Sequence, residues 1–345
     1  MTALTNLSFD LPTIWFLLVG ALLAGYAVLD GFDLGVGALH LFTRKDEHRR
    51  LLINSIGPVW DGNEVWLVTG GGALFAAFPI VYATVFSGFY LPMVLLLVGL
   101  IFRAVAIEFR SKQPGARWRR VWDRSFSIAS IGSSLLMGVA FGNVIWGIPI
   151  GANGEFAGSV LTLLNPYALL TGFTTVALFA MHGAIYLVLK TDGDVQRMVK
   201  GWVNHAIIVF VVAYATTTMA TLIYRPEMTA LIKAHPALFV LPVLTMLAIA
   251  NVPRSMHHDR HGWAFVSSTA AVLGLFALVG VGMFPTLVRA TDPVRSLTVY
   301  NAASSPGTLS IMLTIAVIGI PFVLAYTVGI YWVFRGKVRL DSMSY

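Results

Sequence analysis

Two carboxylates, Asp61 and Glu64, stand in the opening turns of an otherwise apolar run that continues through Ala77, within the stretch N-S-I-G-P-V-W-D-G-N-E-V-W at 54–66. Three residues apart, they share one helix face, and Pro58 suits the first turn of that helix. Trp60 and Trp66 flank them as amphipathic rings of the kind found at membrane boundaries, with Asn63 between. Carboxylates at that depth are costly unless they pair or conduct protons, so the stretch reads as the acid-lined mouth of a membrane helix.

The other polar residues inside apolar runs fall at a similar level. A first helix from about Pro12 rises 1.5 Å per residue, which puts Asp30 roughly 27 Å along it, near the far boundary of the hydrocarbon, with Asp33 a turn beyond. A third helix returns to that side carrying Arg103 and Glu108, and a fourth leaves it at Asp123. Two readings of Asp61 follow: a structural ion pair with Arg103 between the second and third helices, or a proton-handling carboxylate held near that arginine. Asp30, Asp33 and Asp123 have the plainer role of capping helices or meeting loop arginines as their alternative.

Nine helices are expected to position these groups, roughly 12–42, 58–78, 81–110, 123–148, 166–190, 199–224, 236–253, 262–289 and 308–334, each near or above the ~20 residues a bilayer core requires. Of 345 residues, 57% are hydrophobic and 11% charged, which marks an integral membrane protein. The net charge of +7 does not point to nucleic acid, because Lys and Arg sit in short loops between apolar runs. Most of them lie in the loops after helices one, three, five and seven and in the C-terminal tail. That distribution puts the N-terminus outside and the C-terminus in the cytosol. With the first basic residue at Arg44, no cleavable signal peptide is expected.

Several chemistries drop out. The absence of Cys removes thiolate metal sites, iron–sulfur clusters and cysteine nucleophiles. His182 and His205 lie inside expected helices, where hydrogen-bonded packing competes with haem ligation, and His257, His258 and His261 crowd a basic loop with weak metal-binding character. Gly70, Gly71 and Gly72 lack the Lys and Ser/Thr of a phosphate loop and read as close packing. Gly31 with Gly35, and Gly138 with Gly142, have the spacing that lets membrane helices approach closely.

Five motifs, G-Y-A-V-L-D-G-F-D-L-G-V-G (25–37), the 54–66 stretch, G-G-A-L-F-A-A-F-P (71–79), F-S-G-F-Y (86–90) and F-R-x-x-x-x-E-F-R-S-K (102–112), together resemble subunit II of the cytochrome bd-type quinol oxidases. The resemblance continues through G-V-A-F-G-N (138–143), L-L-N-P (163–166), W-A-F (263–265) and M-F-P (283–285). It implies an all-α membrane fold of two four-helix bundles, 12–148 and 166–289, plus a peripheral ninth helix, 308–334. It also implies a haem-bearing partner, subunit I, that holds haem b and haem d and oxidises quinol, while this chain ligates no haem and lines a cytosolic proton pathway.

In that pattern Asp61 matches the pathway carboxylate, Glu108 and Lys112 the acid and lysine around R-S-K, and Asp30 and Arg103 further motif positions. Glu64 joins the pathway group; Trp60, Asp33 and Asn63 join Arg103 as structural and electrostatic residues. The segment 225–235 is shorter than the external insertion of some members. A structural quinone and a small accessory single-helix subunit occur within the family's range, and no motif here assigns either. A proton-coupled secondary transporter and a free-standing b-type cytochrome using His182 and His205 are the rival readings.

Overall fold

The computed structural model describes residues 10–340. Its first helix, α1 (Leu11–His40), opens where the Asp10 side chain accepts a hydrogen bond from Thr13 N and Pro12 occupies the first turn, a start that satisfies otherwise orphaned N–H groups. There follow α2 (Asp46–Ile56), α3 (Trp60–Ala77), α4 (Pro79–Gly88), α5 (Tyr90–Phe109) and α6 (Ala116–Trp146). The second half comprises α7 (Pro166–Lys190), α8 (Gly193–Tyr224), the single turn α9 (Ala230–Ala234), α10 (Val240–His257), α11 (His261–Met283) and α12 (Pro306–Val333).

Among the described residues, eight helices are long and apolar enough to cross a membrane: α1, α5, α6, α7, α8, α10, α11 and α12. The expected second span is a helix, α3, but it is not one of these eight, with Asp61, Asn63 and Glu64 all in its first turns. Several boundaries depart from the sequence expectation, among them the sixth helix, which starts at Gly193 rather than 199, and the seventh, whose α-helix is Val240–His257 rather than 236–253. Pro58 lies in the turn before α3 rather than in its first turn, and residues 81–110 are broken at Phe89. The fourth helix starts at Ala116, which draws Arg117, Arg119 and Arg120 into it, and the eighth ends at Met283. Segment 46–56, read as basic loop, is the amphipathic helix α2, whose Leu52, Ile53 and Ile56 are buried.

The centre of the molecule is α7, packed against α1, α6, α8 and α11. Glycines permit this. A Cβ on Gly35 would come within 1.8 Å of the Phe179 carbonyl oxygen, and one on Gly142 within 2.8 Å of Ala168 Cα, so α1 and α6 cross α7 backbone to backbone. Of the 70–72 run only Gly70 meets a neighbour, Leu23 of α1 at 3.0 Å; Gly71 and Gly72 face open space. One buried apolar cluster runs continuously from α1 and α2 through α7 to α11.

The all-α expectation misses one small feature. Strands β1 (Thr286–Val288) and β2 (Leu297–Thr298) pair antiparallel, and Ile148 N donates to Arg289 O at 2.9 Å. With 149–165 this knot closes the end of the bundle away from α2, burying Ile148, Ile150 and Val299 beside Trp15 and Phe78. Helix α12 lies against α1 and α3 with Leu309 as its buried residue, and exposes an apolar surface including Ile311, Ile315 and Phe322.

Candidate functional site

Arg103 is fully buried on α5, and its guanidinium forks onto Asp30 of α1, Nη1 to Oδ2 at 2.8 Å and Nη2 to Oδ1 at 2.5 Å. The same Nη2 donates to Glu64 Oε1 of α3 at 2.7 Å. One cation thus ties three helices, and the bidentate geometry is one that arginine alone among the basic side chains supplies. The ion pair of Arg103 with Asp61, one of the two readings of that residue, is not formed: Asp61 is exposed and has no ion pair among the described residues. The reason is the rotation of α3 about its axis. Trp66 lies over Gly25 of α1, where a Cβ would be 2.4 Å from the ring, and this seating turns Glu64 inward and Asp61, three residues earlier, to the rim.

A second polar chain lies beside the first. Asp33, buried completely, accepts at Oδ2 from Asn63 Nδ2 at 2.7 Å; that amide also donates to Leu29 O at 3.1 Å. The Tyr331 hydroxyl of α12 donates to Asn63 Oδ1 at 2.9 Å. Asp33 Oδ1 has no hydrogen-bond partner. Phe32 stacks on Tyr186 at 4.0 Å and packs edge-on to Tyr331, so aromatic rings wall the site on the α7 side. Trp60 is buried in the core cluster that also holds Leu52, Ile53 and Ile56.

Glu108 is half-buried near the end of α5, and Lys112 is exposed in the turn that follows it. The ion-pair partners of Arg103 are Asp30 and Glu64. Asp123 takes the plainer of its two expected roles. It accepts from Arg110 Nε at 2.5 Å and Arg49 Nη1 at 2.8 Å, with His40 Nε2 at 3.5 Å. Arg110 reaches on to Asp46 of α2 at 2.6 Å, which Arg119 also meets at 3.1 Å. This cluster fastens α2 under the ends of α1, α5 and α6. Arg110, read as a loop charge, is almost wholly buried; it caps the end of α5, and its seven-residue spacing from Arg103 keeps it on the same side of that helix, a signal the sequence carried.

Burial acts to raise the Asp46 carboxyl, yet the hydrogen bond and charge of Arg110, with Arg119, outweigh it and hold the group below its ordinary value. A depressed carboxylate contributes stability that is present above its unfolded value near 4 and lost as pH falls through the folded one. Asp46→Asn should therefore lower the unfolding midpoint of the purified protein by the same amount at pH 5 and pH 8, corresponding to about 1 kcal/mol for a half-exposed pair. A difference that grows between those values would mean that another group supplies the effect.

The histidines are spent elsewhere. Both ring nitrogens of the buried His182 have protein partners, Nδ1 with Ser268 Oγ at 2.8 Å and Nε2 with Val28 O at 3.0 Å, and Phe265 stacks on the ring. Because a carbonyl only accepts, Nε2 carries the proton. His205 is exposed on α8 with Nδ1 on its own helix at Gly201 O. His261 faces Asp259 at 3.4 Å, and no group of three His, Cys, Asp or Glu among the described residues is placed to hold a metal ion.

Buried charge is concentrated on α1, α3, α5 and α6 at the end where α2 lies, and comparison with known proteins gives this arrangement a family. Residues 11–334 match the family model described as cytochrome bd terminal oxidase subunit II. The chain is 38% identical to cytochrome bd-I ubiquinol oxidase subunit 2 of Escherichia coli K12, over 96% of each chain. It is 35% identical to cytochrome bd ubiquinol oxidase subunit 2 of Bacillus subtilis 168, over 97% of this chain and 99% of that one. The structure of bd oxidase from Geobacillus thermodenitrificans superposes with a TM-score of 0.76, covering 94% of this chain and 98% of that chain at 17% identity, a likeness of fold. Eight apolar helices and bacterial relatives of this kind make it a multi-pass protein of the bacterial cytoplasmic membrane. Full-length matches by family, by identity and by fold converge, and the chain belongs to the cytochrome bd terminal oxidase subunit II family.

Proposed function

We propose that this chain is the non-haem-ligating subunit of a quinol:O2 oxidoreductase, and that it supports a haem-bearing subunit I and carries a cytosolic proton-uptake path for reduction of O2 to water. The observation that carries the reading is the gradient of burial from Asp61 to Asp30. An exposed, unpaired carboxylate stands three residues before Glu64, which leads through Arg103 to a fully buried carboxylate. Water formation consumes protons, and a hydrocarbon-embedded centre receives them only through polar groups of this kind. Asp61 takes protons at the mouth, Glu64 and Asp30 lie inward, Arg103 fixes their charge, and Glu108 with Lys112 flanks the approach.

The orientation with the N-terminus outside, the ninth span α3, and the division into bundles 12–148 and 166–289 with 308–334 at the periphery belong to the same proposal. A proton-coupled transporter would place its site near the midplane in both repeat halves. Here the buried ion pairs join α1, α3, α5 and α6.

The residues of this chain do not fit a haem. His182 has no free ring nitrogen and His205 turns outward from the bundle, so haem b and haem d are assigned to the partner. The experiment is isolation of the complex in mild detergent followed by separation of its subunits. The complex should contain a larger haem-bearing subunit and consume O2 with quinol, while pyridine haemochrome analysis of the separated chain gives no stoichiometric haem. Haem that stays with this chain and disappears in His182→Ala would overturn the assignment.

A further inference from the structure

Between α10 and α11 the chain turns at His258, Asp259 and Arg260, and a cavity of about 380 Å³ opens there, lined by Asn251, Arg254, Ser255, His258, Arg260 and Trp263. Its polar groups are unequal in charge. Asp259, the nearby carboxylate, is engaged by Lys200 at 2.6 Å and by His261 at 3.4 Å. Arg254 and Arg260 have no ion pair and no side-chain hydrogen bond among the described residues, and Asn251 gives its amide to Ser267 Oγ at 2.8 Å. Two guanidinium groups therefore face one cavity without a counter-charge. The start of α11 adds to this, because its N-cap makes no side-chain hydrogen bond and leaves the first N–H groups of the helix open at the same point.

The surroundings define the class of anion. Trp263 is 63% exposed beside the arginines, an amphipathic ring at the end of two membrane helices. Away from the turn, Leu247 and Val243 on α10 and Val266 and Leu273 on α11 continue as exposed apolar stripes. A ligand that satisfies both parts has an anionic head and apolar tails. The turn lies at the end of the protein where loop arginines predominate, the arrangement that attracts acidic lipid.

We propose that this cavity holds the headgroup of an anionic phospholipid, with Arg254 and Arg260 on the phosphodiester, Trp263 at the glycerol level and the acyl chains along the stripes of α10 and α11. The site shares no residue with the Arg103 network and stands independently of the proton-path reading.

The test uses the purified complex, delipidated and then reconstituted with phosphatidylglycerol or phosphatidylcholine. Native mass spectrometry should show phosphatidylglycerol retained and phosphatidylcholine lost. Arg254→Gln/Arg260→Gln should weaken phosphatidylglycerol retention roughly thirtyfold, two basic residues near the surface contributing about 1 kcal/mol each, with Lys at both positions restoring most of it. In wild-type complex, a diazirine-bearing phosphatidylglycerol should label peptides covering 247–266, a readout that needs no variant. Undiminished retention in the Gln variant, labelling elsewhere, or a crosslink showing the face covered by the haem-bearing subunit would each overturn the site. Displacement of the lipid by millimolar inorganic phosphate would identify a soluble anion as the ligand instead, and would also overturn the proposal.

Discussion

Arg103→Leu should abolish recovery of intact complex. The substitution leaves Asp30, fully buried, and Glu64, about one-fifth exposed, without the cation that both contact. Removing one partner of a buried ion pair costs about 3–5 kcal/mol, and here one removal strands two carboxylates. Since the whole stability of a domain is about 5–15 kcal/mol, that loss is enough to prevent α1, α3 and α5 from docking.

Arg103→Lys keeps the charge but reaches only one carboxylate at a time, so it should assemble with reduced yield. Arg103→Leu combined with Asp30→Asn removes the uncompensated charge and should recover part of what the single change loses. The measurement is haem per mole of complex after size exclusion, together with the unfolding midpoint. Wild-type yield in Arg103→Leu would mean that the network contributes nothing to assembly.

The same network shows what the sequence carried and where it stopped. Apolar runs are long-range, redundant signals, and the eight long apolar helices among the described residues follow them. Depth is also legible, because a helix advances a fixed distance per residue; Asp30, Asp33, Glu64 and Arg103 do meet at one level. Azimuth is not. Asp61 and Glu64 are both available within one turn of α3, and which one meets Arg103 depends on how Trp66 seats on Gly25, a contact between helices that no local pattern encodes.

Two further features escaped for related reasons. In α2 the charges of Arg49 and Arg50 conceal a short buried face of Leu52, Ile53 and Ile56. Tyr331 sits in a helix so uniformly apolar that nothing singled out its hydroxyl, yet that hydroxyl joins α12 to Asn63. The strands β1 and β2 are three and two residues long, too short to show alternation.

Asp61→Asn should leave the complex assembled and slow its turnover by roughly a hundredfold, the lower end of the range for loss of a positioned proton-transfer group. Asn is nearly isosteric and keeps hydrogen-bonding capacity while losing the titratable proton. The geometry separates the two readings of this residue cleanly. Were Asp61 the counter-charge of Arg103, the change would cost stability; with Arg103 held by Asp30 and Glu64, and Asp61 exposed and unpaired, the stability change should stay within about 0.5 kcal/mol. Glu64→Gln is the matched comparison. It removes a titratable group from the same helix face but also one partner of Arg103, so it should lower both turnover and the unfolding midpoint. O2 consumption per haem, measured on intact complex with excess quinol beside a thermal melt, distinguishes them. Wild-type turnover in Asp61→Asn at unchanged stability would remove Asp61 from the proton path and leave Glu64 and Glu108 as the proposed acidic residues of that side.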